Sequence, residues 1–291
     1  MDKLIKNYLR QLKTKKKRSD RTIRNYSLYL RRFAEWCKIK KIPAENLVLA
    51  DLKKYQKELN ERRDELRKKF LKGSTKNYHI IALREFIKFL IKRNIISIKI
   101  YNLKLEKIKR RKIEQLTDSE IQKFLDAPLN FSQEKILQLR DKAILEVLFS
   151  TGLKVSEIIN LKNNDFEKNK NFTLHVGGKK KRLFVLNNQS AYWLDSYLKN
   201  RPGKIEYLFV SHDRAKNSKE RFLINNLSAR TVERIIEKYK KFIGLRKALT
   251  PEIFRFYFAN KMVRQGVNED NLQEMLGHQS KNTTKLYFDS H

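Results

Sequence analysis

The sequence predicts a mainly α protein with a small antiparallel β-sheet, built as a helical N-terminal domain followed by a mixed α/β C-terminal domain. Three observations predict it. Apolar residues recur at intervals of three and four over most of the first hundred positions, the period of an amphipathic helix. A single stretch, Phe172 to Leu186, alternates around a glycine pair as a hairpin does. Between the regular stretches, residues 103 to 116 (LKLEKIKRRKIEQL) are too polar and too charged to bury, which marks a linker. The expected domains are therefore 1–102, helical, and 117–291, mixed, joined by a basic linker at 103–116.

Taken in order, Leu4 to Leu12 forms a first helix. From Ser19 to Cys37 the stripe Ile23, Tyr26, Leu30, Phe33 and Cys37 forms the next, with Ser19 or Asp20 as its cap. Leu52 to about Phe70 reads as a charged helix stopped by Gly73. Ser74 opens another, with Tyr78, Ile81, Leu83, Phe86, Phe89 and Leu90 as a broad buried face. Past the linker, Thr117-Asp118-Ser119-Glu120 is a capping box that starts a helix to about Asp126. Leu137 to Ser150 follows, its Ile144, Val147 and Leu148 suggesting burial; Gly152 breaks it and Val155 to Leu161 restarts one. After the hairpin come helices at about 191–199, 228–243, 251–265 and 268–276, and a short one carrying Tyr287.

A chain of 291 residues has room for about two domains of roughly 100–200 residues each. Its 67 Lys and Arg against 32 Asp and Glu leave a net charge of +35, and self-repulsion of that size points to a polyanionic partner. Residues 1–110 hold 34 of those cations and 11 of the acids, so the N-terminal half is the stronger electrostatic grip. Apolar runs fall short of the roughly 18 residues that a membrane span needs, and the N-terminus has no signal-peptide core; the expected place is the cytoplasm, with no membrane partner. The single cysteine, Cys37, leaves no internal disulfide or multi-cysteine metal site and lies on an apolar stripe as a small core residue.

The chemistry sits in the last forty residues. Arg255, then Leu276-Gly277-His278, then Tyr287 supply a guanidinium, an imidazole and a phenol. These are a phosphate clamp, a proton donor and a nucleophile, a set that attacks a phosphodiester without metal or nucleotide cofactor. A free phenol has a pKa of about 10, so Tyr287 needs cations and donors around the phosphate to act near neutrality. Arg255 offers two parallel N–H donors to a pair of phosphoryl oxygens.

The stretches LRDKAILEVLFSTGLKVSEIINL (139–161), VGGKKKRLFVL (176–186), LTPEIFR (249–255) and EMLGHQSKNTTKLYF (274–288) together resemble the tyrosine recombinases of the Xer and phage-integrase kind over almost the whole chain. The resemblance implies a site-specific DNA recombinase in which a helical core-binding domain and a catalytic domain form a clamp on double-stranded DNA. It implies attack by Tyr287 on the scissile phosphorus, a 3′-phosphotyrosyl intermediate and a free 5′-hydroxyl, with the bond energy kept for rejoining. It also implies a homo-oligomer, a dimer per site and a tetramer at synapsis.

Three positions depart from the family pattern. Lys154 stands for the first arginine in TGLKVSE, keeping the charge but losing the bidentate fork, with Glu157 placed to orient that cation. Glu252 stands where the family has histidine in LTPEIFR; it is either an anion near the phosphate or an orienting partner of Arg255. The hairpin is one residue shorter, so the general acid falls to Lys179 or Lys180; the alternative makes the tip a DNA-backbone contact together with Lys181 and Arg182. In the linker, Lys107, Lys109, Arg110, Arg111 and Lys112 are expected to lie along phosphates. Only Phe288 to His291 follow Tyr287, whereas the family commonly adds a helix that docks on a neighbouring protomer, so either the chain is truncated or its protomers communicate differently. With two catalytic positions altered, the rival reading is a degenerate recombinase that binds or synapses DNA sites. A helical RNA-associated protein would explain the charge without the Arg, His and Tyr pattern.

Overall fold

The computed structural model describes residues 1–63, 69–98, 103–108, 114–168, 172–177, 181–201, 205–212 and 226–288. The chain divides into two compact units, Met1–Arg111 and Lys112–His291, with the boundary inside the expected linker.

The first unit is a bundle of α1 (Asp2–Thr14), α2 (Asp20–Ile39), α3 (Leu49–Glu61) and α4 (Gly73–Lys92). Ser19 supplies the cap of α2, its Oγ accepting from the Thr22 amide at 3.3 Å. The expected stripe of α2 turns inward at Leu30, Phe33 and Cys37, which pack with Leu52, Tyr55, Phe86 and Leu90. Burial pushes the Cys37 thiol up to about 12, in keeping with a core residue.

Three expectations fail here. The charged helix stops at Glu61 instead of near Phe70, because Arg62 is extended and Arg63 bridges Phe70 in antiparallel fashion. The sequence beyond Glu61 offers no apolar stripe to bury, and propensity alone does not sustain a helix. On α4, Tyr78 is exposed while His79 and Ile80 are buried, so the inward face begins one position later than the sequence suggested. Nor is the first half of the linker free. Leu103 is fully buried, and Asn77 exchanges two hydrogen bonds with the Glu106 backbone at 2.9 Å while Lys76 pairs with the Glu106 carboxylate at 2.6 Å. One apolar residue and one side-chain amide suffice to bind a polar segment to the bundle. Lys107 remains exposed; Lys109 to Lys112 lie outside the described residues.

The second unit begins at the expected capping box. Glu120 N–H donates to Thr117 Oγ1 (3.2 Å) and Thr117 N–H to Glu120 Oε2 (2.8 Å), opening α5 (Asp118–Asn130). Helix α6 (Lys135–Thr151) is buried on most of its surface, including Ile144, Val147 and Leu148. Gly152 ends it at φ +60°, where an added Cβ would also stand 2.8 Å from the Phe258 ring. A single turn, α7 (Val155–Ile158), leads to a three-stranded antiparallel sheet of β1 (Phe166–Glu167), β2 (Thr173–Val176) and β3 (Arg182–Val185) in that order. The expected hairpin is β2–β3, with Thr173 opposite Val185 and Val176 opposite Arg182. Strand β1 was not expected, since two residues are too few to show alternation. Then follow α8 (Asn188–Asn200), α9 (Ala229–Phe242), α10 (Pro251–Arg264), α11 (Glu269–Leu276) and α12 (Lys281–Phe288). Among the described residues no helix is long and apolar enough to cross a membrane.

Candidate active site

Helix α10 starts at Pro251, whose ring suits a first helical position, and one turn later carries Arg255 into the unit with 7% of its surface exposed. There Arg255 Nη1 donates to the Gly152 carbonyl at 2.8 Å and Nη2 to the Leu276 carbonyl. Both acceptors are the last carbonyls of helices that end in a left-handed glycine or at it, and a cation is favoured at such ends. Two of its five N–H donors are thus used in locking the fork, and a further hydrogen bond joins it to Tyr287.

A second arginine does similar work on the adjacent carbonyl. Arg182, at the start of β3, donates from Nη1 to the Met275 carbonyl (2.9 Å) and from Nη2 to Glu157 Oε1 (2.5 Å). Its guanidinium lies so close under Gly277 that an added Cβ would meet it at 3.1 Å. This corrects the expectation that Arg182 touches the DNA backbone: its side chain is only 6% exposed and its charge is spent inside the unit. Period-two alternation placed Arg182 on the inner face of β3 with Phe184 and could have revealed it.

Glu157 is also placed differently from expectation. Its Oε2 accepts from the backbone N–H of Lys154 at 2.9 Å, capping α7, while Oε1 holds Arg182. The acid therefore orients the Lys154 backbone and the Arg182 guanidinium. Lys154 itself is exposed, and loss of solvation together with the nearby Arg255 charge holds its ammonium below the usual lysine range.

After Gly277, at φ +62°, the chain turns and presents His278. Its Nδ1 lies 2.9 Å from Thr284 Oγ1 on α12, a residue with no exposed surface that the sequence reading did not single out. Loss of solvation, then Arg255, Lys154 and Arg182, lower the imidazole to about 4, so the ring is neutral at pH 7. Tyr287, one turn beyond Thr284, stacks on His278 with ring centroids 6.1 Å apart and 6° between planes, and leans on Phe256. Burial raises its phenol above the ordinary value, while the charge of Arg255 and a hydrogen bond with it draw it back.

Glu252 is exposed on the first turn of α10, and the described hydrogen bonds of Arg255 go to two carbonyls and to Tyr287, so Glu252 is not the partner that orients the guanidinium. Lys181 is exposed at the hairpin; Lys179 and Lys180 lie outside the described residues. The other tyrosines of this unit that could compete as nucleophiles are occupied: Tyr239 donates to Asp141 at 2.6 Å in the core, and Tyr257 accepts from the Leu116 amide.

A locked guanidinium thus faces a phenol, with a neutral imidazole against that phenol and a lysine nearby, on a helical unit with a small sheet. Residues 114–291 match the phage integrase family and residues 5–94 the N-terminal SAM-like domain of phage integrases. Tyrosine recombinase XerC of Thermodesulfovibrio yellowstonii is 30% identical over 97% of this chain and 90% of its own. Tyrosine recombinase XerA of Pyrococcus horikoshii is 32% identical over 93% and 83%. The same fold is seen in XerH bound to its difH substrate before cleavage (TM-score 0.68, 24% identity, 91% of this chain and 76% of that one). It is seen again in a lambda integrase dimer on a COC′ core site (TM-score 0.70, 19% identity, 99% and 76%). The chain belongs to the phage integrase family of tyrosine recombinases, enzymes of site-specific DNA recombination.

Proposed function

We propose that this protein cleaves and rejoins duplex DNA at a specific site through a 3′-phosphotyrosyl bond to Tyr287. The observation that carries the reading is the meeting of Arg255 and Tyr287, brought together by α10 and α12 with His278 stacked on the phenol. The Tyr287 oxygen attacks phosphorus, the bond from phosphorus to the 5′ oxygen breaks, and the phenol proton is lost as the leaving oxygen gains one. Arg255 and Lys154 hold the non-bridging oxygens as charge develops on them, and His278 adds a neutral hydrogen bond. Glu157 and Arg182 act behind them, fixing Lys154's backbone and the turn before His278. Lys179 or Lys180 is the candidate proton source for the leaving oxygen. Glu252 lies at the rim without a catalytic partner. Because the adduct conserves the bond energy, a new 5′-hydroxyl can reverse the step and complete strand exchange without a cofactor.

Both units grip the phosphates of the duplex in this reading, with surface cations that include Lys107 and Lys181. Two protomers occupy each site and four meet at synapsis; a dimer on DNA among the structural neighbours supports the first number. The protein would act in the cytoplasm, where its DNA lies. The non-cleaving alternative is not favoured, since the relatives are recombinases.

A nicked suicide duplex carrying the footprinted site tests the reaction. The short fragment diffuses away after cleavage, so a covalent adduct that survives SDS should accumulate and map to Tyr287. Tyr287→Phe should bind the site with unchanged affinity and form none. No adduct from the wild type after long incubation, or an adduct at Tyr239 or Tyr257, would overturn the assignment.

A further inference from the structure

We propose that Thr284 is a positioning residue that holds the imidazole of His278 in the tautomer with its proton on Nε2, so that His278 meets the phosphate as a hydrogen-bond donor and not as a base. The proposal rests on the reading of His278 as part of the recombinase site.

The geometry begins with the turn at Gly277, which sends the chain back so that α12 lies beside His278. Thr284 occupies the inward face of that helix, wholly buried, with Oγ1 2.9 Å from Nδ1. A threonine hydroxyl in a helix often turns its proton to the carbonyl four residues back. Here the hydrogen bond described for Oγ1 goes to Nδ1 instead. A hydroxyl has one proton, and leaving it without an acceptor inside a protein is costly. If Nδ1–H donated to Thr284, that proton would have no described acceptor; if Thr284 donates, every hydrogen at the contact is used. Nδ1 then carries the lone pair, and the neutral ring has its proton on Nε2.

Loss of solvation, and after it the surrounding charges, keep the ring neutral. Arg255 on α10, Lys154 before α7 and Arg182 on β3 oppose an imidazolium, and Glu157 on α7 favours it. A neutral ring with Nε2–H can donate to a phosphoryl oxygen but cannot take the Tyr287 proton. The phenol must therefore pass its proton to a group other than His278.

The tautomer can be read directly in the free full-length protein labelled with 15N histidine, with long-range 1H–15N spectra and His278→Gln to assign the ring among the five histidines. The wild type should show a protonated nitrogen at Nε2 and an unprotonated one at Nδ1. Thr284→Val, which keeps the shape and removes the hydroxyl, should give a mixture of tautomers and slow adduct formation at saturating DNA by about tenfold to a hundredfold, with DNA affinity unchanged. Thr284→Ser should restore both. A proton on Nδ1 in the wild type, which needs no variant to observe, or a Thr284→Val protein that keeps the Nε2 tautomer, would overturn the proposal. Because the tautomer is measured without DNA, failure to form any adduct would count against the assignment of Tyr287 and leave this answer standing on its own spectra.

Discussion

The two units bury different kinds of side chain. Among the described residues of the first unit, His79 is the one buried polar or charged residue; the rest of its interior is aliphatic and aromatic plus the Cys37 thiol, with Tyr8 on Phe89 at 5.2 Å and Phe33 edge-on to Tyr55 at 5.0 Å. The second unit buries Arg140, Asp141, Lys142, Glu146, Arg182 and Arg255. Tyr239 and Lys238 converge on Asp141 at 2.6 and 3.1 Å, and Lys142 is held between Asp126 and Glu146, each at 2.7 Å. Yet the first unit carries most of the chain's excess charge, with 34 Lys and Arg against 11 acids in residues 1–110.

The difference teaches where a cation is useful. At the surface each Lys or Arg adds to a long-range field and to counterion release, and its exact position matters little. Inside, a charge is expensive to desolvate and survives only where partners hold it, so its position is narrowly set. Phosphodiester chemistry needs donors fixed where charge develops, and in the second unit Arg182 and Arg255 are fixed inside. Among the described residues the first unit keeps its Lys and Arg side chains out of the core.

Removing a buried cation should have the largest effect. Arg255→Ala should slow adduct formation by about a hundredfold to a thousandfold or more, the usual consequence of losing a donor to a developing charge. It should also free the Gly152 and Leu276 carbonyls and speed amide exchange around Gly277 and His278. Peptide-resolved hydrogen exchange should show the first unit unchanged; protection lost equally in both units would mean that their interiors are not independent.

An apolar deletion in the other unit gives the complementary result. Phe33 is fully buried, and Phe33→Ala should destabilise the bundle by about 3–5 kcal/mol. Exchange should rise across α2, α3 and α4, while the buried arginines of the second unit stay protected. If this variant loosens the Arg255 neighbourhood as much as the bundle, the contrast drawn here fails.

Acid should separate the units more gently. His79 in the first unit, and His212 and His278 in the second, are all lowered from 6.5 to about 4, chiefly by burial. Each is neutral in the native state until about pH 4, whereas the unfolded chain protonates near 6.5. The unfolded state therefore binds more protons between these values, and the stability from the neutral native rings, full above 6.5, declines as pH falls towards 4. With two such rings against one, exchange protection in the second unit should decline more between pH 7 and 5. A steeper decline in the first unit would contradict the assignment of these rings.

Much of this was readable before any coordinates. The stripe from Ile23 to Cys37 is the inner face of α2, the capping box at Thr117 opens α5, and Gly152 ends α6. Arg255, His278 and Tyr287, chosen for their chemistry and spacing, do meet at one place. What escaped the reading depends on partners distant in the chain. Glu157 was expected to serve Lys154, but its second oxygen is taken by Arg182, 25 residues on. Arg182 was counted with the hairpin cations because a run of basic residues looks alike in sequence, while strand alternation turns Arg182 inward and leaves its neighbour Lys181 exposed. Thr284 carries no signal of its own beside a second threonine, Thr283, since only the turn of α12 decides which faces His278.

By itself the sequence determined the two-part helical plan, the basic character of each part and the residue types able to attack a phosphate, because helix period, capping and net charge are local or additive properties. Tertiary structure alone decided which cations are spent inside and which stay at the surface, which carbonyls hold Arg255 and which hydroxyl meets His278. Those pairings cross the chain, and they are selected by the cost of leaving any buried donor, acceptor or charge without its partner.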